Sequence, residues 1–84
     1  MSIHILILDD DPGITEILEA SLTLESDVYT CASVNTATEA LTRLRAKEFD
    51  VLIADVVLGK SDGLEVAREA KTLQPELVVI VITG

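Results

Sequence analysis

Eighty-four residues make one domain at most, burying about 60 to 68% of the surface that the unfolded chain exposes. Hydrophobic residues are 49% of the chain but Tyr29 and Phe49 are its only aromatics, so the core has to be aliphatic. A net charge of −9, from 15 acidic and 6 basic residues, argues against direct binding to a nucleic-acid backbone and favours cations or basic protein surfaces as partners.

The N-terminus has no basic region or long apolar core of a signal peptide, and no run approaches the roughly 20 apolar residues of a membrane span. The expected location is the cytoplasm, with no membrane partner. Ile3-His4-Ile5-Leu6-Ile7-Leu8 reads as a first strand and runs into Asp9-Asp10-Asp11. His4, with no ligand cluster around it, is expected at the strand surface. Asp11 before Pro12 places a side-chain acceptor at a helix cap and proline at the first helical position. The helix should span 12–25 and bury Ile14, Ile17, Leu18 and Leu22.

Val28-Tyr29-Thr30-Cys31-Ala32 follows as the least apolar strand, suited to a sheet edge. The single Cys31 cannot form an internal disulfide, which suits a reducing compartment, and reads as an inert core thiol. Asn35 is expected to cap a second helix reaching Lys47, with Ala37, Ala40, Leu41 and Leu44 buried. Arg43, Arg45 and Lys47 are too small a basic group for nucleic acid. Val51-Leu52-Ile53-Ala54 has no polar alternation and reads as a strand buried on both faces, ending on Asp55. Asp62-Gly63-Leu64-Glu65 has the capping-box arrangement, opening a helix that runs to Leu73 before Pro75. Leu77-Val78-Val79-Ile80-Val81-Ile82 is a fourth strand, ending on Thr83-Gly84. Glu65, Glu69 and Glu76 belong to a solvated face.

Strand-helix-strand units at this spacing imply an α/β fold with a parallel sheet and right-handed crossovers. The two wholly apolar strands, 3–8 and 51–55, should be central, giving the order 2-1-3-4. Helix one then covers one sheet face and helices two and three the other. One face stays under-covered and the fourth strand is a bare apolar edge. Either the chain is cut short, or a second copy supplies the cover as a homodimer or by domain swapping.

An open parallel sheet binds ligands beyond the carboxyl ends of its strands, so neighbouring strands one and three would bring up to four carboxylates to one edge. Crowded carboxylates either take up protons or are held ionised by a divalent cation. Oxygen ligands with no His or Cys nearby suit Mg²⁺. A carboxylate acting as nucleophile toward phosphorus needs that cation and a donor to a phosphoryl oxygen, which the hydroxyl of Thr83 can supply.

The runs Ile5–Pro12, Asp50–Leu58 with Asp62–Glu65, and Val79–Gly84 together resemble the receiver domain of bacterial two-component response regulators, over the whole chain. The resemblance implies a flavodoxin-like sheet and a phosphoacceptor switch rather than an enzyme, with 1–84 as the N-terminal part of a receiver lacking its last helices and fifth strand. It implies that Asp55 accepts a phosphoryl group from a histidine kinase or phosphotransfer protein. Asp10, Asp55 and the backbone carbonyl of Val57 would ligate Mg²⁺ directly, Asp9 through water, and Thr83 would turn toward the phosphoryl group. Gly59 stands where the family often has proline. The family's phosphate-pairing lysine lies on the fifth strand, beyond this sequence, and Lys60 is on the wrong loop to replace it. The expectation is a chain that binds Mg²⁺ and phosphorylates poorly by itself.

Simpler readings compete. Asp11 and Asp62 serve as caps first, and Asp9 with Asp10 could be a solvated pair. Asp9-Asp10-Asp11 after a strand also fits a haloacid-dehalogenase-like phosphatase fragment with Asp9 as nucleophile. A third class is a receiver-like binding module that signals without phosphoryl transfer.

Overall fold

The computed structural model describes residues 2–55, 57–58 and 61–82. The elements in chain order are β1 (Ile3–Leu8), α1 (Pro12–Glu25), β2 (Tyr29–Val34), α2 (Ala37–Ala46), β3 (Val51–Asp55), β4 (Val57–Leu58), β5 (Ser61–Asp62), α3 (Gly63–Leu73) and β6 (Val78–Ile82). The main sheet is parallel in the order β2-β1-β3-β6, which is the expected 2-1-3-4 for the four long strands. The short strands β4 and β5, which the sequence reading did not assign, form a separate antiparallel ladder with Val57 opposite Asp62.

Burial explains the order. From Ile5 to Leu8 every residue of β1 is buried, as a strand covered on both faces requires. Leu6, Leu8, Leu52 and Ala54 point to the face covered by α2 and α3, where Val34, Ala40, Leu44, Phe49, Val66, Ala70 and Leu77 complete the aliphatic core. Ala37 and Leu41 pack beside it, so the stripe expected for α2 is the one observed. Leu52 is fully buried.

Among the described residues the opposite face is covered by α1 alone, which leans on the β1–β2 half of the sheet. Of the four residues expected to be buried on α1, only Leu18 and Leu22 are half-buried; Ile14 and Ile17 are exposed, Ile17 by 64%, and Thr15 is buried in their place. Helix α1 packs mainly on β2 and less on β1, so the part of its apolar arc carrying Ile14 and Ile17 stays exposed. On β6, Val78, Ile80 and Ile82 are exposed at 56%, 48% and 36%, so the under-covered face and bare apolar edge are both observed. Among the described residues, no helix is long and apolar enough to cross a membrane.

Local chemistry sets the boundaries. Asp11 caps α1, its Oδ1 accepting from the Gly13 backbone N–H at 2.9 Å, with Pro12 at the first helical position. The α2 cap is Thr36, not Asn35: Thr36 Oγ1 accepts from Glu39 N–H at 3.1 Å while donating to Glu39 Oε1 at 3.1 Å, so the cap and the Glu39 carboxylate hold each other through side chains. Asp62's side chain falls outside the described atoms. β2 starts one residue later and ends two residues later than expected, because its ladder with β1 continues to the Leu8–Val34 pair. His4 is half-buried rather than at the surface, its Nδ1 enclosed and without a hydrogen-bond partner among the described residues. Cys31 is half-buried; burial first, then Glu19, pushes its thiol pKa up, consistent with an inert thiol.

Gln74 ties the end of the sheet remote from the strands' carboxyl termini. Its Nε2 donates to the carbonyls of Leu44 and Lys47 at 2.8 and 2.7 Å, and its Oε1 accepts from Phe49 N–H at 3.0 Å. One side chain thus joins the end of α2, the entry to β3 and the end of α3. Gln74→Ala is expected to cost about 1–3 kcal/mol of stability, read as a lower urea midpoint with an unchanged m value. Gln74→Glu should cost more, since an oxygen would then face two carbonyl oxygens.

Candidate functional site

β1 and β3 are neighbours in parallel register, Leu8 beside Ala54, so the residues leaving their carboxyl ends emerge at the same edge. One carboxylate oxygen from each of Asp9, Asp10 and Asp55 lies within 4.8 Å of the others. Three carboxylates meet there, not four. Asp11, the remaining candidate, is turned back onto α1 as its cap.

The three differ in environment: Asp9 is 8% exposed, Asp55 half-buried and Asp10 exposed. Burial is the main force raising the Asp9 pKa, with the charges of Asp55 and Asp10 adding to it. The Asp11 backbone N–H, donating to Asp9 Oδ1 at 2.9 Å, works the other way by stabilising the carboxylate. The donor set is oxygen only and strongly anionic, and its oxygens are close enough to share one ion. It fits a hard divalent cation that retains water, as Mg²⁺ does.

The main chain beneath Asp9 is also held. Asp9 N–H donates to the Val34 carbonyl at 3.2 Å, and Asn35 Nδ2 donates to the Asp9 carbonyl at 2.9 Å. The sequence reading missed this tie. Its signal was two cap-type residues in succession, Asn35 and Thr36, where one helix needs one cap.

Of the other sequence candidates, Val57 lies two residues past Asp55 and opens β4. Thr83, Gly84, Gly59 and Lys60 lie outside the described residues.

The profile of the response regulator receiver domain family matches residues 5–84. This chain belongs to that family. The receiver is 35% identical over 84 residues to the response regulator MprA of Mycobacterium ulcerans, covering all of this chain and 35% of that protein. It is 32% identical over 81 residues to the transcriptional regulatory protein GlrR of Escherichia coli K12, covering 96% of this chain and 18% of that protein. It thus spans about a fifth to a third of these curated relatives.

Among solved structures, the receiver superposes on TrrA of Thermotoga maritima, crystallised with Mg²⁺ and BeF, at a TM-score of 0.88 and 31% identity over 99% of this chain and 70% of that one. TrrA has also been crystallised with the histidine kinase ThkA. A response regulator from Burkholderia pseudomallei, carrying a phosphorylated aspartic acid and a calcium ion, superposes at a TM-score of 0.91 and 26% identity, over 99% of this chain and 48% of that one. These similarities support the receiver over both the phosphatase and the phosphorylation-independent module.

Proposed function

We propose that the receiver, read as one domain over 1–84, accepts a phosphoryl group on Asp55 from a histidine kinase or phosphotransfer protein in a Mg²⁺-dependent step, and so switches protein–protein interactions. The observation that carries this reading is the convergence of Asp9, Asp10 and Asp55 at one sheet edge. Asp55 is the suited nucleophile because it ends the central strand β3 and is neither as buried as Asp9 nor as exposed as Asp10. An oxygen of Asp55 attacks phosphorus, the bond from phosphorus to the donor's imidazole nitrogen breaks, and the imidazole leaves and regains its proton. Asp10, Asp55 and the Val57 carbonyl would hold the metal directly and Asp9 through water, while the Thr83 hydroxyl would donate to a phosphoryl oxygen. Mg²⁺, when bound, offsets the negative charge of the incoming group.

The test pairs a Mg²⁺ titration with exposure to a small phosphodonor, followed by intact mass and site mapping. Saturable Mg²⁺ binding, with one hydroxylamine-labile phosphoryl group at residue 55 that chelator prevents, is the expected result. A label at Asp9, or no Mg²⁺ binding, would overturn the assignment.

The exposed apolar side chains of α1 and β6 support a second property, association of two copies through the under-covered sheet face. Sedimentation velocity should then show a dimer that Ile80→Lys converts to monomer; a monomeric unsubstituted chain would remove this part of the reading.

A further inference from the structure

We infer that Asn35 is a positioning residue for the metal site, fixing the main chain from which Asp9 and Asp10 project and hence the spacing of their carboxylates from Asp55. The inference rests on the receiver reading of that site. Asn35 is free of the duty its type suggests, because Thr36 caps α2. Its Nδ2 reaches instead across the sheet end to the Asp9 carbonyl at 2.9 Å, from a half-buried position. The Asp9 N–H is tied to Val34 at 3.2 Å, so both main-chain polar groups of Asp9 are anchored to the corner between β2 and α2.

That arrangement has a geometric consequence. The carbonyl belongs to the peptide linking Asp9 to Asp10, and a planar peptide moves as one body. Without Asn35 this peptide can rotate, carrying the Asp10 carboxylate away from Asp55. Sites that hold an ion tolerate shifts of only about 0.5 Å, and losing an outer partner of a metal ligand typically weakens binding about 10- to 100-fold.

Asn35→Ala is therefore expected to weaken Mg²⁺ binding by about 10-fold or more, measured by titration calorimetry on folded protein. Asn35→Leu, close to Asn in size but without a donor, should reproduce the loss and covers the case in which the alanine variant does not fold. Thr36→Ala removes the neighbouring cap, so it should lower the unfolding midpoint while leaving Mg²⁺ affinity unchanged. Unchanged affinity in the Asn35 variants would overturn the inference, as would equal weakening in Thr36→Ala, which would trace the effect to loss of the corner's stability. Absence of Mg²⁺ binding in the unsubstituted protein would overturn the receiver-site reading itself, a distinct result.

Discussion

Asp55→Asn is expected to reduce phosphoryl incorporation to background, while Asp9→Asn leaves a measurable rate. The two residues lie in one cluster yet differ in what substitution removes. An amide at 55 is a far poorer nucleophile toward phosphorus than the carboxylate, and it also weakens the metal site, so both requirements of the transfer fail together. At position 9 the nucleophile survives. On the proposed assignment a neutral amide there would weaken a water-mediated metal contact, with an expected loss of about 10- to 100-fold in rate at limiting Mg²⁺, recovered in part as Mg²⁺ is raised. Phosphodonor assays across a Mg²⁺ series distinguish the cases. If Asp9→Asn abolished labelling and Asp55→Asn did not, the nucleophile would sit on β1's end, as in the phosphatase alternative.

The second expectation concerns stability and follows from the raised pKa of Asp9. Its ordinary value is 3.8, and burial raises it in the folded chain with help from Asp55 and Asp10. Between that ordinary value and the raised one the folded state binds more protons than the unfolded state. The Asp9 contribution to stability is therefore present at low pH and is lost as pH rises through the raised pKa. Asp9→Asn removes the titration but keeps an oxygen to accept the Asp11 N–H. In metal-free buffer the variant should thus gain stability over the unsubstituted chain as pH increases, levelling off once pH has passed the raised pKa. Adding Mg²⁺ should reverse the ranking, because the ion binds the ionised cluster of the unsubstituted protein; at 100 times its dissociation constant it contributes about 2.7 kcal/mol. Urea titrations at pH 5 and pH 8, with and without Mg²⁺, check this. A pH-independent difference between the two proteins would show that burial in the folded chain does not raise the Asp9 pKa.

The strands were legible because their signals are local and strong. The unbroken apolar runs ending at Leu8 and Ala54 required cover on both faces, which made them central and neighbours, and that adjacency brings Asp9, Asp10 and Asp55 together. The under-covered face followed from topology by counting helices per side, and the exposure of Ile80 shows it. Periodicity on α1 was less informative. Ile14 and Ile17 lie on an apolar stripe, but a stripe wider than the strand beneath it does not say which residues meet the sheet.

Asn35 and Asp11 mark the boundary between the two kinds of information. Both are residues that cap helices, and sequence assigned both as caps. Asp11 is one, because its partner, Gly13, is two residues away and the chain direction alone brings them together. The partner of Asn35 is 26 residues back, on the far side of a strand pairing. Side-chain type over short stretches was enough for the strand order, for the Asp11 cap of α1, and for acidic groups from two neighbouring strand ends meeting at one sheet edge. Packing between remote segments set which face of α1 is buried, the convergence of three carboxylates rather than four, and the tie from Asn35 to Asp9. Those outcomes depend on distances between segments remote along the chain, which no local pattern encodes.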